Sequence, residues 1–195
     1  PAFPPSQVQT QVYPYAQALN DSVELYNACA ETVFFMTWGR VNGDQANCGF
    51  YTPLCTYAGM QQRLRESYLE MARDNAGICA PVGAAWKVVR DSFLSLNLYD
   101  SDGSHPSYAG SYLASCVFYA SLFGKTPVGS TFYGSLSAGD ALTLQRIAAR
   151  VVLDSAATWY MGAYDVQADF NAQIGLDSVV AVNASQGAIA VEWLV

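Results

Sequence analysis

The chain has a single histidine, and it stands three residues after an aspartate, in Asp102-Gly103-Ser104-His105-Pro106. A carboxylate placed this way on a turn can accept a hydrogen bond from one ring nitrogen and so fix the tautomer. The other nitrogen is then free to take a proton from a serine hydroxyl. The chemistry on offer is acyl transfer, with Asp102 as the acid member of the pair and His105 as the base. Asp-Gly-Ser is also an ordinary turn. Three features favour catalysis here. This is the only imidazole in a chain of low charge, Pro106 and a helix start follow it, and it lies after two α/β units, where such sheets deliver ligand-facing residues.

Other residues are candidates for parts of the same chemistry. Ser104 adjoins His105 too closely to serve as its nucleophile, and Ser130 sits in a loop that follows no strand. Asn42, in Asn-Gly-Asp, reads as a turn rather than an oxyanion donor. Trp38 and Arg40 close an apolar run and are candidates for substrate binding, the arginine through a carboxylate or a sugar hydroxyl. A packed Trp38 and an Arg40 tied to Asp44 fit the same residues equally well. Trp86 is a further candidate wall, although core packing suits it better.

The elements that must position these groups alternate. Residues 1–8 are Pro-rich and read as a loop, and residues 9–27 carry apolar residues at helical spacing. TVFFMTW (32–38) and ICAPVG (78–83) are continuous apolar runs, as buried parallel strands require. Helices are predicted over 57–75, 84–93, 107–123 and 139–161, with a long loop at 39–57. This order predicts a doubly wound α/β sheet. Two strands are too few for an independent parallel sheet, so further strands are expected upstream. The predicted domains are residues 1–162 and a β-rich tail, 163–195. In the tail, SVVAV (178–182) and AIAVEWLV (188–195) are read as a hairpin or the start of an appended β-sandwich module.

Composition narrows the function. Hydrophobic residues make up 52% of the chain and charged residues 13%, a profile of a folded core. The net charge of −7, with nine scattered basic residues, argues against nucleic acid as a partner. No apolar stretch is long enough for a membrane span. Of the five cysteines, Cys48 and Cys55 are predicted to form a local disulfide, which implies an oxidising compartment. Cys29 and Cys79 could pair if their strands are neighbours, and Cys116 reads as a buried thiol. With one histidine and no C-x-x-C, no metal site is expected. PAFPPSQ is neither an initiator methionine nor a basic leader, and reads as an internal stretch of a longer product.

DGSHPSYAGSYLASCVFYASLFGKTPVG (102–129) resembles the last conserved block of the SGNH/GDSL hydrolases, in particular a bacterial secreted branch. FFMTWGRVNGD (34–44) and APVGAAW (80–86) are similar to that branch's fourth- and fifth-strand segments. The resemblance covers about residues 5–160. It implies a flavodoxin-like three-layer sheet lacking its N-terminal strands, with Asp102 and His105 at the family's acid and base positions. It further implies a serine esterase, without cofactor, acting on an ester substrate such as an acylated carbohydrate, secreted or at the cell surface. No segment matches the family's serine block, so the nucleophile and oxyanion donors are expected in a missing N-terminal part of the same protein. The alternative is a non-catalytic binding or structural module of a secreted multi-domain surface protein.

Overall fold

The computed structural model describes residues 1–164 and two strand segments, 170–174 and 179–183. The chain divides into two compact units, Pro1–Met161 and Gly162–Val195.

The first unit is mixed α/β and mostly helical. Its start departs from the predicted loop and single helix. Helix α1 (Pro5–Gln11) begins with its proline in the first turn, where no N–H is needed. The chain then breaks at Val12 and restarts as α2 (Tyr13–Tyr26). Pro14 accounts for the break. It lacks the N–H that a continuous helix would use there, so it can sit only in the first turn of a new helix.

Strand β1 (Val33–Phe35) pairs in parallel with β2 (Ile78–Ala80), with Val33 opposite Ile78 and Phe35 opposite Ala80. Both are shorter than the apolar runs that predict them. Beyond β2, Pro81 has no N–H to give the ladder and becomes the N-cap of α4 (Val82–Ser92). Two bonds still extend the contact past the strands, Met36 N–H to the Ala80 carbonyl (3.0 Å) and Gly83 N–H to the Met36 carbonyl (2.9 Å).

Side chains alternate along β1, as the pleat demands. Phe34 and Met36 join Ala72, Cys79 and Trp159 in one apolar cluster, whereas the Phe35 ring meets Phe118 at 4.9 Å. Helix α3 (Tyr57–Asp74), capped by the Thr56 hydroxyl, runs along both strands. The larger core lies among α4, α5 (Tyr108–Phe123) and α6 (Ala138–Leu153), where Trp86, Val89, Leu113, Val117, Leu144 and Val152 are wholly buried. After α6 a 3-10 turn replaces the last predicted helical residues, and the Trp159 indole donates to the Val151 carbonyl (2.7 Å).

Cys48 and Cys55 form a disulfide across the long loop, with their Cα atoms 4.5 Å apart. Cys29 and Cys79 do not pair. Cys29 is exposed and Cys79 is buried within β2, where burial pushes its thiol up to about 12. Cys116 is a buried free thiol. No helix among the described residues is long and apolar enough to cross a membrane.

In the second unit, β3 (Phe170–Ile174) pairs antiparallel with β4 (Val179–Asn183). The apolar-run reading does not anticipate this partner. It looks downstream, whereas four residues upstream of β4 lies a strand of alternating type, Phe-Asn-Ala-Gln-Ile, close enough for a short hairpin. The segment 188–195 lies outside the described residues.

Candidate active site

The turn bearing Asp102 and His105 is closed by its own backbone. Tyr99 and Pro106 face each other in an antiparallel bridge. The Asp100 N–H donates to the His105 carbonyl and the Ser107 N–H to the Leu98 carbonyl, both at 2.9 Å. Gly103 turns the corner at φ +67°, a conformation that disfavours a side chain. Space is short there as well, because a Cβ would come within 2.5 Å of Val41 Cγ1.

Within the turn, Asp102 is fully engaged. Its Oδ1 accepts the backbone N–H groups of Ser104 and His105, each at 2.9 Å, and its Oδ2 lies 2.5 Å from His105 Nδ1. The hydrogen bond from His105, followed by those from the two backbone amides, holds the Asp102 carboxyl down to about 2. The same bond, with the carboxylate charge, raises the His105 ring above its ordinary value. The His105 side chain is 79% exposed, and among the described residues nothing bonds its Nε2. The arrangement is an imidazole with one nitrogen anchored and the other open, able to take a proton from a hydroxyl brought to it.

Two elements carry this turn. Helix α5 starts at its end, where Ser107 Oγ accepts the Gly110 N–H (3.2 Å) and donates to the Asn97 carbonyl (2.8 Å). The chain leaving the C-terminal end of β1 supplies the rest. The Trp38 indole N–H donates to the Ser104 carbonyl (3.0 Å), and the Val41 N–H donates to the Gly103 carbonyl (2.9 Å). Trp38 stacks on Trp86 with centroids 3.9 Å apart and planes 2° from parallel. Trp86 in turn meets Tyr99 edge-on at 5.2 Å.

The Tyr99 hydroxyl donates to the Gly39 carbonyl (2.6 Å). Arg90 lies over the Tyr57 ring, 4.0 Å from its centroid, and also reaches the Tyr99 hydroxyl at 3.4 Å. Tyr99 and Gly103 were not singled out from sequence. The signal for Gly103 was the Asp-Gly turn itself, whereas nothing local marks Tyr99.

The remaining candidates divide. The structure brings Trp38 to the dyad turn, but with its N–H committed to Ser104 and its face to Trp86. Arg40 instead faces Asp44, at 3.3 Å, with half of its side chain exposed. The Cys48–Cys55 disulfide belongs to the loop after Asp44, whose N–H donates to the Leu54 carbonyl (2.7 Å). Ser130 lies in the loop after α5, where its carbonyl accepts from Gln145 (3.0 Å). Among the described residues, no three His, Cys, Asp or Glu side chains are grouped to hold a metal ion.

No family model matches the chain, and no curated protein matches it. Among solved structures, the chain is similar to a protein described as a putative SGNH hydrolase from Slackia heliotrinireducens, with 26% identity and a TM-score of 0.48. The match covers 60% of this chain and 59% of that one, so the chain spans well under two thirds of its neighbour's length.

Proposed function

We propose that this chain carries the acid and base of a serine ester hydrolase of the SGNH type, and that the nucleophile comes from polypeptide outside these 195 residues. The observation that carries the reading is the anchored Nδ1 and open Nε2 of His105, at the C-terminal side of a parallel strand pair. His105 takes the proton of an incoming serine hydroxyl as that oxygen attacks an ester carbonyl. It then returns the proton to the leaving alcohol. Asp102 keeps the ring in the tautomer this requires and offsets the imidazolium charge. Donors for the oxyanion also come from outside the chain, and removing one such donor typically costs about 10² to 10³ in rate.

Two features support further strands beside β1, completing a flavodoxin-like three-layer sheet. Among the described residues β1 is paired on one side only. Beside it an apolar groove of about 530 Å³ is lined by Tyr15, Leu19 and Val23 of α2 and by Val33 and Phe35 of β1. Small esters, acylated carbohydrate among them, are the substrate class. The disulfide suits a secreted or cell-surface protein.

The test uses two proteins. The 195-residue chain should leave p-nitrophenyl acetate untouched, and the longer gene product should react with a fluorophosphonate probe at a serine outside this sequence. Hydrolysis by the 195-residue chain that His105→Ala abolishes would place the nucleophile inside it. A longer product that resists the probe would end the hydrolase reading.

A further inference from the structure

Among the described residues the His105 ring bonds only Asp102, and most of its side chain faces solvent, so the turn that carries both residues sets where the ring points. That turn is pinned along its length by a short stretch of chain leaving β1. Tyr99, at its start, bonds the Gly39 carbonyl. Gly103, at its corner, accepts from Val41, and Ser104, beside the base, accepts from Trp38. The Trp38 ring cannot easily swing away, because it lies flat on Trp86, which is wholly buried.

We infer that Trp38 is a positioning residue for His105, acting through the indole N–H that it donates to the Ser104 carbonyl. The inference rests on reading Asp102 and His105 as the acid–base pair. It assigns Trp38 a role different from lining the substrate cleft. A packing residue would need only an aromatic face at this position. The N–H adds a fixed point one residue from the base, and in a site where neither dyad side chain is held by burial such a point sets how often Asp102 and the ring meet. The charged groups acting on the ring are Asp102 and Asp100 of the same turn. Arg40, on the facing segment, is paired with Asp44.

A lone histidine makes the test clean, since one ring gives one set of NMR signals. The ring pKa and the amide exchange rates of Ser104 and His105 are measured in the 195-residue chain and in Asp102→Asn, Trp38→Phe and Gly103→Ala. Trp38→Phe keeps an aromatic face on Trp86 and removes the N–H. Gly103→Ala leaves Trp38 intact and drives the corner away from Val41. Asp102→Asn should lower the ring pKa. Trp38→Phe and Gly103→Ala should lower it by part of that amount and speed exchange at Ser104 and His105 about fivefold, the weight of one hydrogen bond. A purely structural Trp38 would lower the melting temperature without moving either signal. An unchanged ring pKa and unchanged exchange in Trp38→Phe, or in Trp38→Leu where Trp38→Phe does not fold, overturns the positioning role. An unchanged ring pKa in Asp102→Asn overturns the dyad reading instead, so the two failures are distinguishable.

Discussion

Gly110 stands in the first turn of α5, three residues after the Ser107 cap, and intrinsic propensity says that alanine would be the better residue there. In an open helix interior the exchange gains about 1 kcal/mol, and less so near the N-terminus. The surroundings reverse that sign. A Cβ on Gly110 would lie 2.3 Å from the Leu98 carbonyl oxygen and 2.5 Å from a ring carbon of Trp86. Neither can give way cheaply. Leu98 O is backbone and already accepts the Ser107 N–H at 2.9 Å, while Trp86 is wholly buried and stacked on Trp38. Overpacking of this kind costs about 1–3 kcal/mol or more. Gly110→Ala should therefore destabilise the first unit by about 2 kcal/mol net, which is about 4–8 °C in melting temperature for a chain of this size. Urea unfolding of both proteins, followed by far-ultraviolet circular dichroism, gives the number. A variant as stable as the parent, or more so, would show that the helix start and the indole shift freely, and would refute the account of a rigid seat beneath the dyad.

Two further outcomes follow from the same structure. Replacing Cys48 and Cys55 together by serine opens a short loop, since the two lie seven positions apart. The chain-entropy relation puts the loss at about 2–3 kcal/mol, read as a lower urea midpoint. The dyad also has a pH signature. Asp102 is held down from 3.8 to about 2, so its contribution is present above about pH 4 and is lost as pH falls through the lower value. His105 is raised above 6.5, so its contribution is full below that pH and is lost as pH rises through the raised value. The stability gap between the parent and Asp102→Asn should thus be wider at pH 5 than at pH 9. A gap that widens toward alkaline pH would contradict the pairing.

Much of the local order was legible because it depends on neighbours in sequence. The Asp102–His105 contact is made within one turn, so residue types and spacing sufficed to anticipate it. The helices from α3 to α6 follow from apolar runs and spacing, with the start of α5 marked by Pro106, while the capping role of Ser107 emerges only in the structure. Two continuous apolar runs mark β1 and β2 as buried parallel strands, and the structure adds that the two are neighbours. What could not be read was decided at a distance. Tyr99 gains its place from Gly39, sixty residues away, and Trp38 from Ser104, sixty-six residues away, and nothing local signals either bond. The break at Val12 was legible in principle, since Pro14 forbids a continuous helix, but apolar periodicity alone carries across it. Strand β3 went unseen because its apolar residues alternate with Asn and Gln, a weaker signal than the solid runs on which the tail was judged.

The stacked indoles of Trp38 and Trp86 have a use beyond holding the turn. Two such chromophores, parallel and in contact, share their electronic transitions, and the shared signal falls away steeply as they part. Near-ultraviolet circular dichroism therefore carries a built-in gauge of whether the support behind His105 is closed. That gauge can be followed by light alone, with no label attached and no ester present.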